Sequence, residues 1–190
     1  MRLLFNLLVA IIIAAAVGFG SALMVLDRER IFGAVTRGAW TAWPALGSPS
    51  ADPYSRAELA RSGTVPLGSG EGIAFLADSD DSGAPLSGRC DYRVAGQTPP
   101  ARLWTLTAED GEGNLYETPA RRSGFNSREI LRREDGSFTI TVAADVAPGN
   151  WLPVAGDGPI RLTLRLYDTP LTSSGIGEAA LPTIERGSCR

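Results

Sequence analysis

Residues 102–116, RLWTLTAEDGEGNLY, constrain the fold more than any other stretch of the chain. Trp104, Leu106 and Ala108 alternate with Leu103, Thr105 and Thr107, a period of two that sets one face of a strand on a core. Asp110-Gly111 and Gly113-Asn114 follow, supplying residues that tolerate the positive φ of a hairpin connection. The spacing therefore predicts a strand over 102–108, an acidic turn, and a returning strand over 115–117. Further strands are expected over 73–77, 89–94, 129–132, 137–143 and 159–167. The last two read most clearly: Phe138, Ile140 and Val142 alternate with Ser137, Thr139 and Thr141, and Ile160, Leu162, Leu164 and Leu166 alternate with Arg161, Thr163, Arg165 and Tyr167. Short strands separated by Gly- and Asp-rich turns describe a mainly β domain, an antiparallel β-sandwich or jelly roll rather than a βαβ sheet.

Ahead of this domain, residues 3–26 form an apolar run, LLFNLLVAIIIAAAVGFGSALMVL. As a helix it reaches roughly 36 Å, longer than the ~30 Å hydrocarbon core of a bilayer. A cleaved secretory signal is the rival reading, with Gly18-Phe19-Gly20 as its small-x-small site. Such apolar regions run about 7–15 residues, however, and this one continues through Leu23-Met24-Val25-Leu26, so a single uncleaved anchor is expected. Arg2 lies on one side of it and Arg28 and Arg30, among acids, on the other; the positive-inside comparison is close to a tie. Ala14, Gly18 and Ala22 recur every four residues, the small-xxx-small spacing that lets two membrane helices pair as a homodimer.

Cysteine breaks the tie. The chain has two, Cys90 and Cys189, and an even pair in an exported domain is most simply a disulfide. Two unpaired thiols in a cytosolic domain are the alternative. The disulfide reading places the domain on the periplasmic side of a bacterial inner membrane, and its closure of a loop of about 100 residues contributes roughly 4–5 kcal/mol on the chain-entropy model.

Composition then excludes whole classes of activity. There is no His and no Lys; all 18 cations are Arg. That removes a Ser-His-Asp triad, a His-ligated metal site and Schiff-base chemistry. Net charge is −3, with no basic face of the kind that replaces counterions on nucleic acid. No cofactor is expected.

Residues 27–51 read as a juxtamembrane segment and linker. Trp40 and Trp43 suit either lipid headgroups or packing beneath the domain. Asp52 has the look of an N-cap, with Pro53 at the first helical position and Gly63 as the stop, predicting a short helix over 53–62 that opens the β domain of residues 52–190.

Four motifs fall in order along that domain: ADPYSRA at 51–57, RLWTLT at 102–107, NWLP at 150–153 and LRLY at 164–167. In this order they are similar to the bacterial family known as domain of unknown function 1214 (DUF1214), over nearly the whole of residues 52–189. The resemblance implies a jelly-roll-like β-sandwich, which longer members carry as the C-terminal half of a two-domain protein; here an anchor stands in the partner's place. Arg102, Trp104, Asn150, Trp151, Arg165 and Tyr167 belong to these motifs and mix aromatic faces with guanidinium groups, which suits a sugar-like or anionic ligand. The alternative is that the aromatics fill the core and the arginines flank it.

Other candidates carry weaker chemistry. Residues 78–83, DSDDSG, begin like a calcium loop, but the twelfth place, which needs a bidentate Glu, is Arg89; a solvated hairpin turn is expected. Glu109, Asp110 and Glu112 would be the acids for general acid/base work on a glycosidic bond, or simply a wet turn. Arg121, Arg122, Arg128, Arg132 and Arg133 suit an anionic envelope polymer, or an exposed loop and edge strand. Gly68-Ser69-Gly70-Glu71-Gly72 lacks the Lys-Ser/Thr of a phosphate loop. The reading is a membrane-anchored envelope protein with a periplasmic binding or interaction domain for a glycan or protein partner, with an enzyme on envelope carbohydrate as the alternative.

Overall fold

A computed structural model describes residues 2–27, 33–177 and 179–190. Helix α1, Arg2–Asp27, takes up the apolar run. It is long and apolar enough for a single membrane span, and compatible with one. The flanking Arg28 and Arg30 lie outside the described residues.

Two sheets face each other across one core in a sandwich-like arrangement. The larger has six strands in the order β1 (Val35–Arg37), β2 (Trp40–Ala42), β3 (Gly72–Ala77), β9 (Ile160–Tyr167), β5 (Leu103–Asp110) and β6 (Gly124–Asn126). The smaller has four: β10 (Thr183–Cys189), β4 (Cys90–Gly96), β7 (Phe138–Ala143) and β8 (Asn150–Pro153). Period-two alternation decides which side chains meet. Phe75, Leu164 and Leu106 sit in one row across β3, β9 and β5, all buried. Trp104 reaches across to Phe138 of the second sheet, ring centres 4.9 Å apart. Every pairing is antiparallel except one: β7 and β8 run parallel, Ile140 beside Asn150 to Ala143 beside Pro153.

The short helix α2, Pro53–Ser62, forms as its caps dictate. Asp52 accepts the N–H groups of Tyr54 and Ser55 at 2.9 and 3.0 Å, and Gly63 closes the end in the left-handed region. A one-turn helix α3, Leu171–Ser174, precedes the last strand. Cys90 and Cys189 are bonded to each other and sit opposite in the register of β4 and β10. Such a bond suits an oxidising, non-cytoplasmic compartment.

Two expected strands do not form. After the acidic turn, pairing stops at a single bridge between Glu109 and Leu115; Pro119 lies just beyond, without an N–H to offer, and β5 takes β6 as its neighbour instead. Over 129–132 a side chain has replaced the ladder. Asn150 Oδ1 accepts the Leu131 N–H at 2.8 Å while its Nδ2 donates to the Leu131 carbonyl at 2.9 Å. The sheet also starts earlier than residue 52, because the hairpin of β1 and β2 pairs with β3. Trp40, buried there, donates its indole N–H to the Pro182 carbonyl at 2.7 Å; it packs within the domain.

Candidate functional site

The outward face of the large sheet is set by the same alternation that builds the core. Arg161, Thr163, Arg165 and Tyr167 of β9 point away from it, between Ala74 and Leu76 of β3 and Thr105, Thr107 and Glu109 of β5. An arm of chain, residues 43–47 and 64–67 on either side of α2, crosses this face. It sits close: a side chain at Gly47 would collide with the Leu67 carbonyl, since a Cβ there would lie 1.8 Å from that oxygen. Between arm, sheet and the Glu109–Asn114 turn lies a cleft of about 470 Å³.

Its polar groups are arranged in pairs. Arg165 donates to Thr107 Oγ1 at 3.1 Å and to Glu109 Oε1 at 3.5 Å, and that Glu109 side chain is only 13% exposed. Arg161 forks onto Asp78, Nε to Oδ1 at 2.6 Å and Nη2 to Oδ2 at 3.1 Å. On the floor, the Thr163 hydroxyl is buried and finds no hydrogen-bond partner among the described residues. Trp43, Leu46, Val65, Ile73, Leu76 and Tyr167 supply the apolar lining.

The six motif residues are divided by the fold. Arg165 and Tyr167 line the cleft. Trp104 is in the core, Asn150 ties Leu131 and the Thr139 carbonyl, and Trp151 donates its indole N–H to the Ala143 carbonyl at 3.0 Å. Arg102 is exposed beside Asp168, 3.4 Å away. What the motifs alone did not reveal is the arm, together with Arg161 and Thr163. The alternation along residues 160–167 held the signal for the latter two, since it put them on one face with Arg165 and Tyr167.

Several of the remaining candidates are engaged in holding the fold. The DSDDSG segment forms the expected hairpin-like turn, bridged between Ser79 and Pro85 and exposed at Asp78, Asp81, Ser82 and Gly83, but it is also tied into the fold. Asp80 is buried and accepts N–H groups from Ser82 and Ala84 at 3.0 and 3.1 Å, and Arg186 Nε at 2.8 Å. Burial works against its charge, but the hydroxyl of Ser82, the Ala84 N–H and Arg186 outweigh it and lower the pKa. Asp81 grips the N–H groups of Ala39 and Ile184 at 3.2 and 2.8 Å. Among the described residues no three His, Cys, Asp or Glu side chains are grouped to hold a metal ion. In the arginine segment, Arg132 donates to the Gly136 carbonyl at 2.9 Å and lies over Trp104 and Phe138; Arg122 lies 4.4 Å from the centre of the Phe125 ring. Asp110 accepts N–H groups from Asn114 and Glu112, both at 2.9 Å, and these bonds hold its carboxyl below the usual range.

Fold and bond together define the class: a sandwich-like β domain with an internal disulfide, behind an apolar helix compatible with a single span. The family model for a protein of unknown function, DUF1214, matches residues 71–171, more than half of the chain, and the chain belongs to that family. Among solved structures, the VPA0106 protein from Vibrio parahaemolyticus is similar at 24% identity and a TM-score of 0.59, over 73% of this chain and 36% of that one. An uncharacterised protein from Burkholderia cenocepacia aligns at 24% identity and a TM-score of 0.46, over 90% of this chain and 41% of that one. This chain thus spans well under half the length of either. No curated protein matches it.

Proposed function

We propose that this is an inner-membrane protein of the bacterial envelope, anchored by α1, whose jelly-roll-like domain lies in the periplasm and binds an envelope component without transforming it. The observation that carries the reading is the cleft, a concave site whose surface is mostly polar, with Arg161, Arg165, Glu109 and Glu112 set beside Trp43, Tyr167 and a few aliphatic groups. The disulfide supports the compartment, since thiols in the cytosol are kept reduced. Taken with β1 and β2, the unit borne by the anchor begins at Val35.

The enzymatic alternative rests on Glu109 and Glu112, both on the cleft. It is the weaker, because Glu109 is already held by Arg165 and Thr107, and Asp110 is consumed in closing its own turn. Retained turnover of envelope glycan by the wild type, abolished in Glu109→Gln and Glu112→Gln, would reverse that preference. Ala14, Gly18 and Ala22 also offer α1 a close-packing face for a homodimer; unchanged cross-linking in Gly18→Leu would remove that part of the proposal.

Compartment and bond are tested together by labelling the membrane-bound protein with an impermeant maleimide. Labelling of intact cells with permeable outer membranes only after reduction is the expected result. Thiols that react without reduction, and only once the inner membrane is opened, would place the domain inside and overturn the reading.

A further inference from the structure

Taking the cleft as a binding site, as proposed above, its charges and hydrogen-bonding groups narrow the class of ligand. Two arginines and two glutamates line it. Each arginine already faces a carboxylate, Arg165 that of Glu109 and Arg161 that of Asp78. An anion would have to displace one of these partners, and with Glu112 at the rim the surroundings repel it. A cation is opposed in turn by Arg161 and Arg165, which line the same cleft.

The pairs are nevertheless not saturated. Arg165 spends one Nη1 bond and one Nη2 bond on the protein, which leaves N–H groups of its five without an acceptor among the described residues. Both bonds received by Glu109 arrive at Oε1, from Thr107 and Arg165, so Oε2 has acceptor capacity to spare. A donor and an acceptor fixed side by side fit vicinal hydroxyl groups, each of which donates and accepts at once. Beside them, Trp43 and Tyr167 bring aromatic rings to the lining, suited to the C–H faces of a pyranose ring. The volume, about 470 Å³, is within the range of small-molecule sites.

We propose that the cleft binds an uncharged oligosaccharide, with the Arg165 and Glu109 pair reading adjacent hydroxyls and Tyr167 packing against a ring face. The test uses the full chain in lipid nanodiscs, titrated calorimetrically with cellotriose, maltotriose and triacetylchitotriose, and with trigalacturonate as the anionic comparison. At least one neutral trisaccharide should bind, and more tightly than trigalacturonate. Tyr167→Ala should weaken it about tenfold, while Tyr167→Phe, which keeps the ring, stays within about twofold of wild type. Arg165→Lys should weaken it severalfold, because the charge survives and the planar fork does not. Tighter binding of trigalacturonate, or equal affinity in Tyr167→Ala and wild type, overturns the proposal. So does failure of every trisaccharide. If in that case dioctanoylphosphatidylglycerol binds the wild type but not Ala74→Trp, which fills the cleft, the site stands and the sugar class falls. If a trisaccharide binds Ala74→Trp as it binds the wild type, the cleft is not the site.

Discussion

Two turns with three acidic residues each, DSDDSG at 78–83 and EDGEGN at 109–114, have opposite fates. Each is closed by an aspartate that accepts two backbone N–H groups, Asp80 from Ser82 and Ala84 and Asp110 from Glu112 and Asn114. Beyond that they diverge. The first turn is a hub: Asp80 meets Arg186 on β10, Asp81 joins the β1–β2 hairpin to β10 through Ala39 and Ile184, and Asp78 holds Arg161 on β9. The second bonds mostly within itself and leaves Glu109 and Glu112 on the cleft. Acidity in a turn therefore says nothing by itself. What decides its role is whether distant segments bring cations and N–H groups to it.

The hub depends on the C-terminal strand, and the disulfide holds that strand. Reduction, or Cys189→Ser, should cost about 4–5 kcal/mol for a bond spanning 99 residues, read by urea unfolding; a loss below about 1 kcal/mol would show β10 held without it. Asp80→Ala strips the Ser82 and Ala84 bonds and takes the carboxylate from Arg186, which keeps the Pro85 carbonyl. An expected loss of about 3 kcal/mol follows, whereas Asp110→Ala should shift the unfolding midpoint by less than half as much. Equal shifts would break the contrast between the turns.

Both turns hold an aspartate whose pKa is lowered, and the pH dependence tests the buried one. Because the folded state lowers the pKa of Asp80 from 3.8, its contribution is present above the unfolded value and is lost as pH falls through and below it. Asp80→Asn should therefore unfold with a flatter pH dependence than wild type below about pH 4.5. A parallel profile would show that the charge does not matter there. The smallest effect is expected on the cleft floor: Thr163→Val removes a buried hydroxyl with no partner among the described residues, and should be neutral or stabilising by up to about 1 kcal/mol. Destabilisation beyond that would mean the hydroxyl has a partner in solution.

Strands with one apolar face were legible in the sequence. β3, β7 and β9 follow from residues 73–77, 137–143 and 159–167 because period-two alternation and burial coincide in them. The caps of α2 were equally plain, since Asp52, Pro53 and Gly63 act through local bonds. β1 and β2, at three residues each, are too short to show a period. β10, TIERGSC, buries mainly Ile184 and reads as polar loop. Its place is fixed by long-range partners, Cys90 and Asp80, that no window of sequence contains. The site was half legible for the same reason. Arg165 and Tyr167 stood in a motif, but the arm that turns their face into a cleft is a tertiary event, permitted by the absence of a side chain at Gly47.

The central claim is that one acidic turn belongs to the fold and the other to the site. Amide hydrogen exchange of the full chain in nanodiscs, with and without the neutral trisaccharides, tests it most directly. Protection is expected to rise in residues 43–47, 64–67 and 109–113 and to stay unchanged in 78–83. Protection gained in 78–83 with none at the cleft, or no change anywhere at saturating sugar, would contradict the account.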